Sequence, residues 1–119
     1  MKMIKLIPIL VILIACAAMA SAQLDPAPTI SLTALPGTSV THSVTIRASA
    51  RDMGASAGLA KIELYIDGVL NTTKNCGYSK SCILTKTRIS TTAKNETYHA
   101  IAYDHSQSKN SSFLTVTFS

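Results

Sequence analysis

The sequence lacks the short motifs that identify many enzymes. It contains no G-x-S-x-G nucleophile motif and no glycine-rich phosphate loop. Its three histidines, His42, His99 and His105, do not have the spacing of zinc ligands. The six acidic residues are scattered along the chain and form no evident catalytic pair. These absences predict a protein that is not an enzyme and that holds no cofactor and no metal.

Runs of like charge are also absent. The chain has 11 Lys and Arg against 6 Asp and Glu, and the basic residues stand singly among Ser and Thr. Without Lys2 and Lys5, which belong to the N-terminal segment described next, nine basic residues remain and the formal net charge is +3. A charge this small and this scattered argues against nucleic acid as a partner.

Residues 1–22 have the pattern of a signal peptide. Two lysines precede an apolar run, which is short for a membrane span and ends with Ala20 and Ala22 at the −3 and −1 positions of an A-x-A site. We therefore expect export and cleavage before Gln23, with the mature chain secreted or held at the extracytoplasmic cell surface.

Cys16 leaves a second outcome open. The stretch "LIAC" fits a lipobox, in which the cysteine becomes a lipid-modified first residue. Lipidated chains usually continue into a polar tether, whereas "AAMASA" stays apolar and ends in a good cleavage site. We favour removal of the whole segment, and a lipid at Cys16 is the only route to a membrane that the sequence offers.

Apolar and polar residues alternate through the rest of the chain. In "SVTIRASA", Val44, Ile46 and Ala48 fall on one face and Thr45 and Arg47 on the other, and "TISLTA", "KIELYID" and "FLTVTF" alternate in the same way. This period, with many β-branched residues, predicts half-buried antiparallel strands in a sandwich or barrel. We predict an all-β fold of seven strands, at about residues 28–34, 41–51, 60–67, 69–75, 82–89, 97–104 and 112–118.

The segments "SVTIRASARD", "AKIELYIDGVL" and "NETYHAIAYD" resemble the bacterial-type immunoglobulin-like modules of secreted and surface proteins. The resemblance implies a seven-stranded Greek-key sandwich over residues 28–119, after a short linker at 23–27. It also implies that Tyr98 forms a tyrosine corner, with its hydroxyl bonded to nearby backbone, and that Ala100 and Ala102 point inward. The loop "DHSQSKN" departs from the family pattern because it lacks a glycine.

Cys76 and Cys82 are the two cysteines outside the signal segment, and an exported context predicts that they form a disulfide. The bond would close a loop of about 7 residues at the end of a hairpin and contribute roughly 2–2.5 kcal/mol. A remote alternative is that this constrained loop inhibits a trypsin-like protease through the exposed Lys80.

The turn at Asp67-Gly68 predicts a hairpin. A two-residue turn would pair Ile66 with Val69 and point Asn71 inward, where an amide without a partner is costly. A bulge at Gly68 would instead turn Leu70 inward and Asn71 outward, and we predict the bulge.

Three loops are predicted to meet at one end of the sandwich, at Asp52–Gly58, Cys76–Cys82 and Asp104–Asn110. We name this end the loop pole, and its candidate binding residues are Asp52, Tyr78, Lys80, Asp104 and His105. Calcium is conceivable there, but two carboxylates are too few to predict a site. Ordinary solvated loops are the alternative.

Outward positions of the third, sixth and seventh predicted strands form a second candidate surface. We name it the aromatic face, and it consists of Tyr65, His99, Ile101, Tyr103 and Phe113. Such a patch can stack on sugar rings or dock a neighbouring domain. The same residues could equally be cross-strand pairs that only stabilise the sheet.

These patterns predict a non-catalytic exported module for adhesion or for binding carbohydrate or a surface protein. The alternative is a structural subunit of a cell-surface assembly, held through the sheet face or the segment "QLDPAP". Three N-x-S/T sequons are candidate glycosylation sites, at Asn71, Asn95 and Asn110.

Overall fold

The computed structural model describes residues 26–54 and 57–119, which form two β-sheets packed face to face. The all-β sandwich is therefore confirmed. The described residues contain nine strands rather than seven, because two short strands join those that the alternation predicts. The strands are β1 Thr29–Leu35, β2 Ser39–Val40, β3 Ser43–Arg51, β4 Leu59–Ile66, β5 Val69–Ser79, β6 Ser81–Ile89, β7 Lys94–Tyr103, β8 Ser108–Asn110 and β9 Leu114–Phe118.

The chain passes repeatedly from one sheet to the other. The smaller sheet has the order β1-β3-β6, and the larger sheet has the order β2-β9-β7-β4-β5, with β8 paired to β7. Neighbouring strands are antiparallel except β2 and β9, which are parallel. The third, sixth and seventh predicted strands are β4, β7 and β9, and they share the larger sheet as expected.

The core lies between the sheets and is built from the inward residues of each alternating strand. The largest fully buried side chains are Tyr98 and Phe118. Ala100 and Ala102 are also fully buried, which confirms their inward direction. Because β-strand side chains alternate between faces, burying one set leaves the other set free to form a surface.

The hairpin between β4 and β5 differs from the predicted one. Asp67 and Gly68 have φ of 51° and 81°, the left-handed values of a tight two-residue turn, and Ile66 pairs with Val69. The predicted bulge at Gly68 is wrong. The extra residue is Asn71, because Tyr65 pairs with Leu70 and Leu64 with Thr72.

Burial at this hairpin is also only partly as predicted. Asn71 is exposed, as expected, but Leu70 is 48% exposed and does not point into the core. Val69 is more exposed still, at 68%. Both residues lie at the start of β5, an edge strand of the larger sheet.

Cys76 and Cys82 form the expected disulfide, with Cα atoms 5.7 Å apart. The strands that carry them do not form a hairpin, however, and that prediction is wrong. Cys76 lies in β5 of the larger sheet and Cys82 in β6 of the smaller sheet. The disulfide therefore joins the two sheets where the chain crosses between them.

Tyr98 is buried, but among the described residues its hydroxyl bonds to a side chain and to no backbone group, which differs from the tyrosine-corner prediction. It donates to the carboxylate of Glu96, two residues earlier on β7. Arg88 holds the same carboxylate with two hydrogen bonds, from Nε at 3.3 Å and from a terminal nitrogen at 3.0 Å, and Lys94 Nζ lies 3.1 Å away. Burial alone would raise the pKa of Glu96, but these donors outweigh it and lower the pKa to about 2.

The predicted signal peptide and Cys16 lie outside the described residues, as does most of the linker. Within 26–54 and 57–119, no helix is long and apolar enough to cross a membrane.

Candidate binding surfaces

The aromatic face is continuous across three segments of the larger sheet. Tyr65 on β4 stacks on His99 of β7, with ring centroids 4.6 Å apart and planes 8° apart. His99 in turn contacts Phe113, just before β9, at 5.0 Å with a tilt of 54°. Phe113 is 72% exposed, so its ring is open to a ligand, whereas the stacked Tyr65 and His99 rings already cover one face of each other.

A carboxylate lies at the centre of this face. Glu63 on β4 pairs in register with Ile101 and accepts hydrogen bonds from Tyr103 at 2.7 Å and Tyr65 at 3.3 Å. Lys61 Nζ lies 3.5 Å from the same carboxylate and 4.8 Å from the centroid of the Tyr103 ring.

The hydrogen bonds hold this cluster in one protonation state. The bond from Tyr103 and the charge of Lys61 lower the pKa of Glu63 despite the opposing effect of burial. The same bond to Glu63 raises the pKa of Tyr103 to about 12. The face therefore presents a fixed acceptor and oriented hydroxyls at neutral pH.

Glu63 and Lys61 were not among the predicted site residues. Both occupy outward positions of "KIELYID", so the alternation places them beside Tyr65. A charged residue at an outward position is normally only a solvated side chain, and the sequence holds no sign that Tyr103, 40 residues later, would bind Glu63.

A depression of about 430 Å³ extends this surface toward the loop pole. Lys61, Thr73, Asn75 and Tyr78 line it, together with two small residues. Asn75 Oδ1 accepts the Gly77 N–H at 3.0 Å, which leaves the amide nitrogen as a donor toward solvent. The two predicted surfaces are therefore neighbours, joined by this depression.

The three loops of the loop pole do come together. The backbone N–H of Asp52 donates to Lys80 O at 2.8 Å, and Lys80 Nζ lies 3.4 Å from Asp52 Oδ2 and 3.1 Å from Gly54 O. Tyr78 stacks on His105 with centroids 4.8 Å apart and planes 10° apart. The Lys80–Asp52 pair joins the disulfide loop to the loop that begins at Asp52, and the Tyr78–His105 stack joins it to the loop that begins at Asp104.

The backbone of the disulfide loop is shaped to present Tyr78. Gly77 and Tyr78 have φ of 60° and 63°, and an aromatic residue rarely adopts this left-handed conformation. Gly58, in the neighbouring loop, has φ of 109°, and a Cβ there would overlap the backbone carbonyl of Tyr78. The close approach of these two loops requires glycine at position 58.

Asp104 is buried and caps its own loop. Its Oδ1 accepts the N–H groups of Ser106 at 2.8 Å and Gln107 at 2.7 Å, while Oδ2 has no hydrogen-bond partner within the described residues. Across residues 26–54 and 57–119, no group of three or more His, Cys, Asp or Glu side chains could hold a metal ion. The arrangement is that of a turn-forming aspartate.

The three sequon asparagines, Asn71, Asn95 and Asn110, all lie on exposed strand positions. Asn71 is the bulge residue of β5, and Asn110 pairs with Ile101 at the margin of the aromatic face.

Two packed sheets in this topology, with loops clustered at one end, define an immunoglobulin-like domain. The family model for the bacterial Ig domain matches residues 28–116, and the chain belongs to this family. Domains of this kind are generally non-catalytic modules and commonly occur in extracellular or surface proteins. Among curated proteins, no sequence matches the chain.

Solved structures with this fold include the CARDB domain of the PF1109 protein of Pyrococcus furiosus. Its crystal structure, in complex with di-metal ions, has a TM-score of 0.61 and 14% identity, and the match covers 80% of this chain and 90% of that one. The solution NMR structure of the same domain has a TM-score of 0.59 and 14% identity, with 76% and 93% covered. At this identity the likeness shows the fold alone.

Proposed function

We propose that this domain is an exported adhesion module that binds carbohydrate through the aromatic face. The observation that carries the proposal is the open Phe113 ring at the end of the Tyr65–His99 stack, next to the Glu63 cluster. An exposed ring can pack against the C–H face of a sugar, while carboxylate and amide groups bond to its hydroxyls.

The depression between the aromatic face and the loop pole suits a neighbouring sugar of the same glycan. Its lining offers the Thr73 hydroxyl, the Asn75 amide and the ring of Tyr78, which is 61% exposed. Polar groups next to an aromatic surface are the usual elements of sugar recognition.

A glycan array tests this proposal. We expect the wild-type domain to bind at least one glycan on the array. Phe113→Ala and Tyr103→Ala should each weaken that binding about ten-fold or more. Ile89→Ala is the matched control, because Ile89 is 63% exposed on the smaller sheet, and it should bind like the wild type. Absence of binding to every glycan by the wild type would overturn the proposal.

The edge strand β5 supports assembly with a neighbouring chain as a second candidate function. It has eleven residues, and among the described strands it pairs only with β4; Val69 and Leu70 are exposed near its start. Sedimentation at increasing concentration should then show oligomers that Val69→Lys disrupts. A strict monomer at the highest concentration would contradict this candidate.

The geometry offers less support to protease inhibition. Lys80 Nζ is held by Asp52 Oδ2 and Gly54 O within the loop pole, whereas an inhibitory lysine must extend into the pocket of the protease. A trypsin assay with wild type and Lys80→Ala decides the matter directly.

Export is the remaining part of the proposal and rests on the pattern of residues 1–22. Intact mass spectrometry of the mature protein should show an N-terminus at Gln23 and the mass loss of two hydrogens for the Cys76–Cys82 bond. A lipid-modified N-terminus at Cys16 would replace free secretion by membrane anchoring.

A further inference from the structure

The outward face of the smaller sheet carries charge of one sign. Arg47 and Arg51 are exposed on the same side of β3, and neither side chain has an ion pair or hydrogen bond within the described residues. Four residues along a strand separate them by about 13 Å. The described carboxylates belong to the larger sheet, its turns or the loop pole.

Residues with hydroxyl side chains flank both arginines in the register of the sheet. Thr33 and Thr85 flank Arg47 across the sheet, and Thr29 and Ser81 flank Arg51 in the same way. One row away, Ser31 and Ser49 pair with each other, and Ser49 also pairs with Ile83.

A depression of about 610 Å³ lies at the Arg51 end of this face. Its polar lining includes the hydroxyls of Ser31, Ser49 and Ser81 and the Arg51 side chain. Met53 and Ile83, which are both exposed, form its apolar wall. Hydroxyl donors, a guanidinium cation and a small apolar wall together fit an acidic sugar better than they fit a small inorganic anion.

We propose that this face binds an acidic polysaccharide, with Arg47 and Arg51 each bound to one anionic group of the polymer. Guanidinium groups bind carboxylates and sulfates in a planar, two-point geometry. The hydroxyls then bond to the sugar units between the charges. The described part of this face has no aromatic side chain to stack on bases, so single-stranded nucleic acid fits it poorly.

The two arginines belong to the smaller sheet and the aromatic face to the larger one, and only Phe113 comes near the new site, through a depression that it shares with Ser31. A domain with both sites would bind two different polymers, one on each sheet. The two proposals fail independently, since Tyr103→Ala, which lies away from Ser31, should leave the binding of acidic polysaccharide unchanged.

Binding of the mature domain to immobilised heparin and to polygalacturonate tests the proposal, with dextran as the neutral probe. We expect both acidic polymers to bind at physiological salt and dextran not to bind at this face. Arg47→Gln/Arg51→Gln should weaken binding about ten-fold or more and reduce the dependence of log Kd on log salt by about two ion equivalents.

The matched control is Lys74→Gln/Lys109→Gln, which removes the same charge from exposed positions of the larger sheet. It should change affinity less than about three-fold. Equal losses in the two double variants would overturn the proposal, because binding would then follow net charge alone. Binding to poly-glutamate or anionic vesicles without binding to either polysaccharide would also overturn it.

Discussion

At the scale of single residues, the loop pole depends on one glycine. Gly58 combines a φ of 109° with a position against the Tyr78 carbonyl, so any side chain meets both backbone strain and a steric clash. Glycine at 58 therefore permits the contact between two loops that positions Tyr78.

Gly58→Ala should consequently destabilise the domain by about 2 kcal/mol or more. Urea unfolding measures the change, and Gly37→Ala is the matched control because a Cβ at Gly37 meets nothing within 4 Å. The control should lie within about 0.5 kcal/mol of the wild type. Equal stabilities of the two variants would contradict the role assigned to Gly58.

Glu96 makes stability depend on acid pH. Its pKa of about 2 in the folded protein is below the ordinary value of 4.5 for a glutamate, so its ionised form stabilises the native state above about pH 4.5. That contribution is lost as the pH falls from about 4.5 toward 2, where the carboxylate becomes protonated in the folded protein too.

Glu96→Gln should therefore lower stability at pH 7 by about 1–3 kcal/mol, since the bonds from Arg88 and Tyr98 lose their charged acceptor. The difference from the wild type should shrink toward pH 2. Unfolding curves at pH 7, 4.5 and 2.5 check this, and a difference that stays constant with pH would contradict it.

At the scale of elements, alternation predicts the strands well because it reflects which side chains are buried. "SVTIRASA" and "KIELYID" place their inward residues correctly in β3 and β4. The two short strands β2 and β8 carry no such pattern, because their pairing depends on where β9 and β7 already lie. Alternation also does not encode the position of the bulge, which is Asn71 because the tight Asp67-Gly68 turn pairs Ile66 with Val69 and the register shifts between Leu64 and Tyr65.

The disulfide acts between sheets, and this changes the expected effect of removing it. Cys76→Ala/Cys82→Ala should cost about 2 kcal/mol of stability by the loop-entropy estimate. It should also loosen the Tyr78–His105 stack, because Cys76 lies only two residues from Tyr78. Unfolding curves and the His105 ring shifts in NMR spectra measure the two effects, and unchanged His105 shifts would contradict the second.

At the scale of the whole molecule, the sequence predicts the grouping of candidate residues better than their contacts. The family resemblance brings Asp52, Lys80 and Asp104 to one end of the sandwich. The specific partners, such as Lys80 with Gly54 O and Tyr103 with Glu63, depend on loop conformations and side-chain rotamers that alternation does not encode. Alternation likewise does not encode the depression that Lys61, Thr73, Asn75 and Tyr78 line between the loop pole and the aromatic face.

The most direct test of carbohydrate binding at the aromatic face is an NMR titration of the labelled domain. The ligand is the glycan to which the domain binds most tightly on the array. Chemical-shift changes should cluster at the aromatic face and its depression, with the largest at His99, Tyr103 and Phe113. Changes confined to the smaller sheet, or spread evenly over the domain, would contradict binding at the aromatic face.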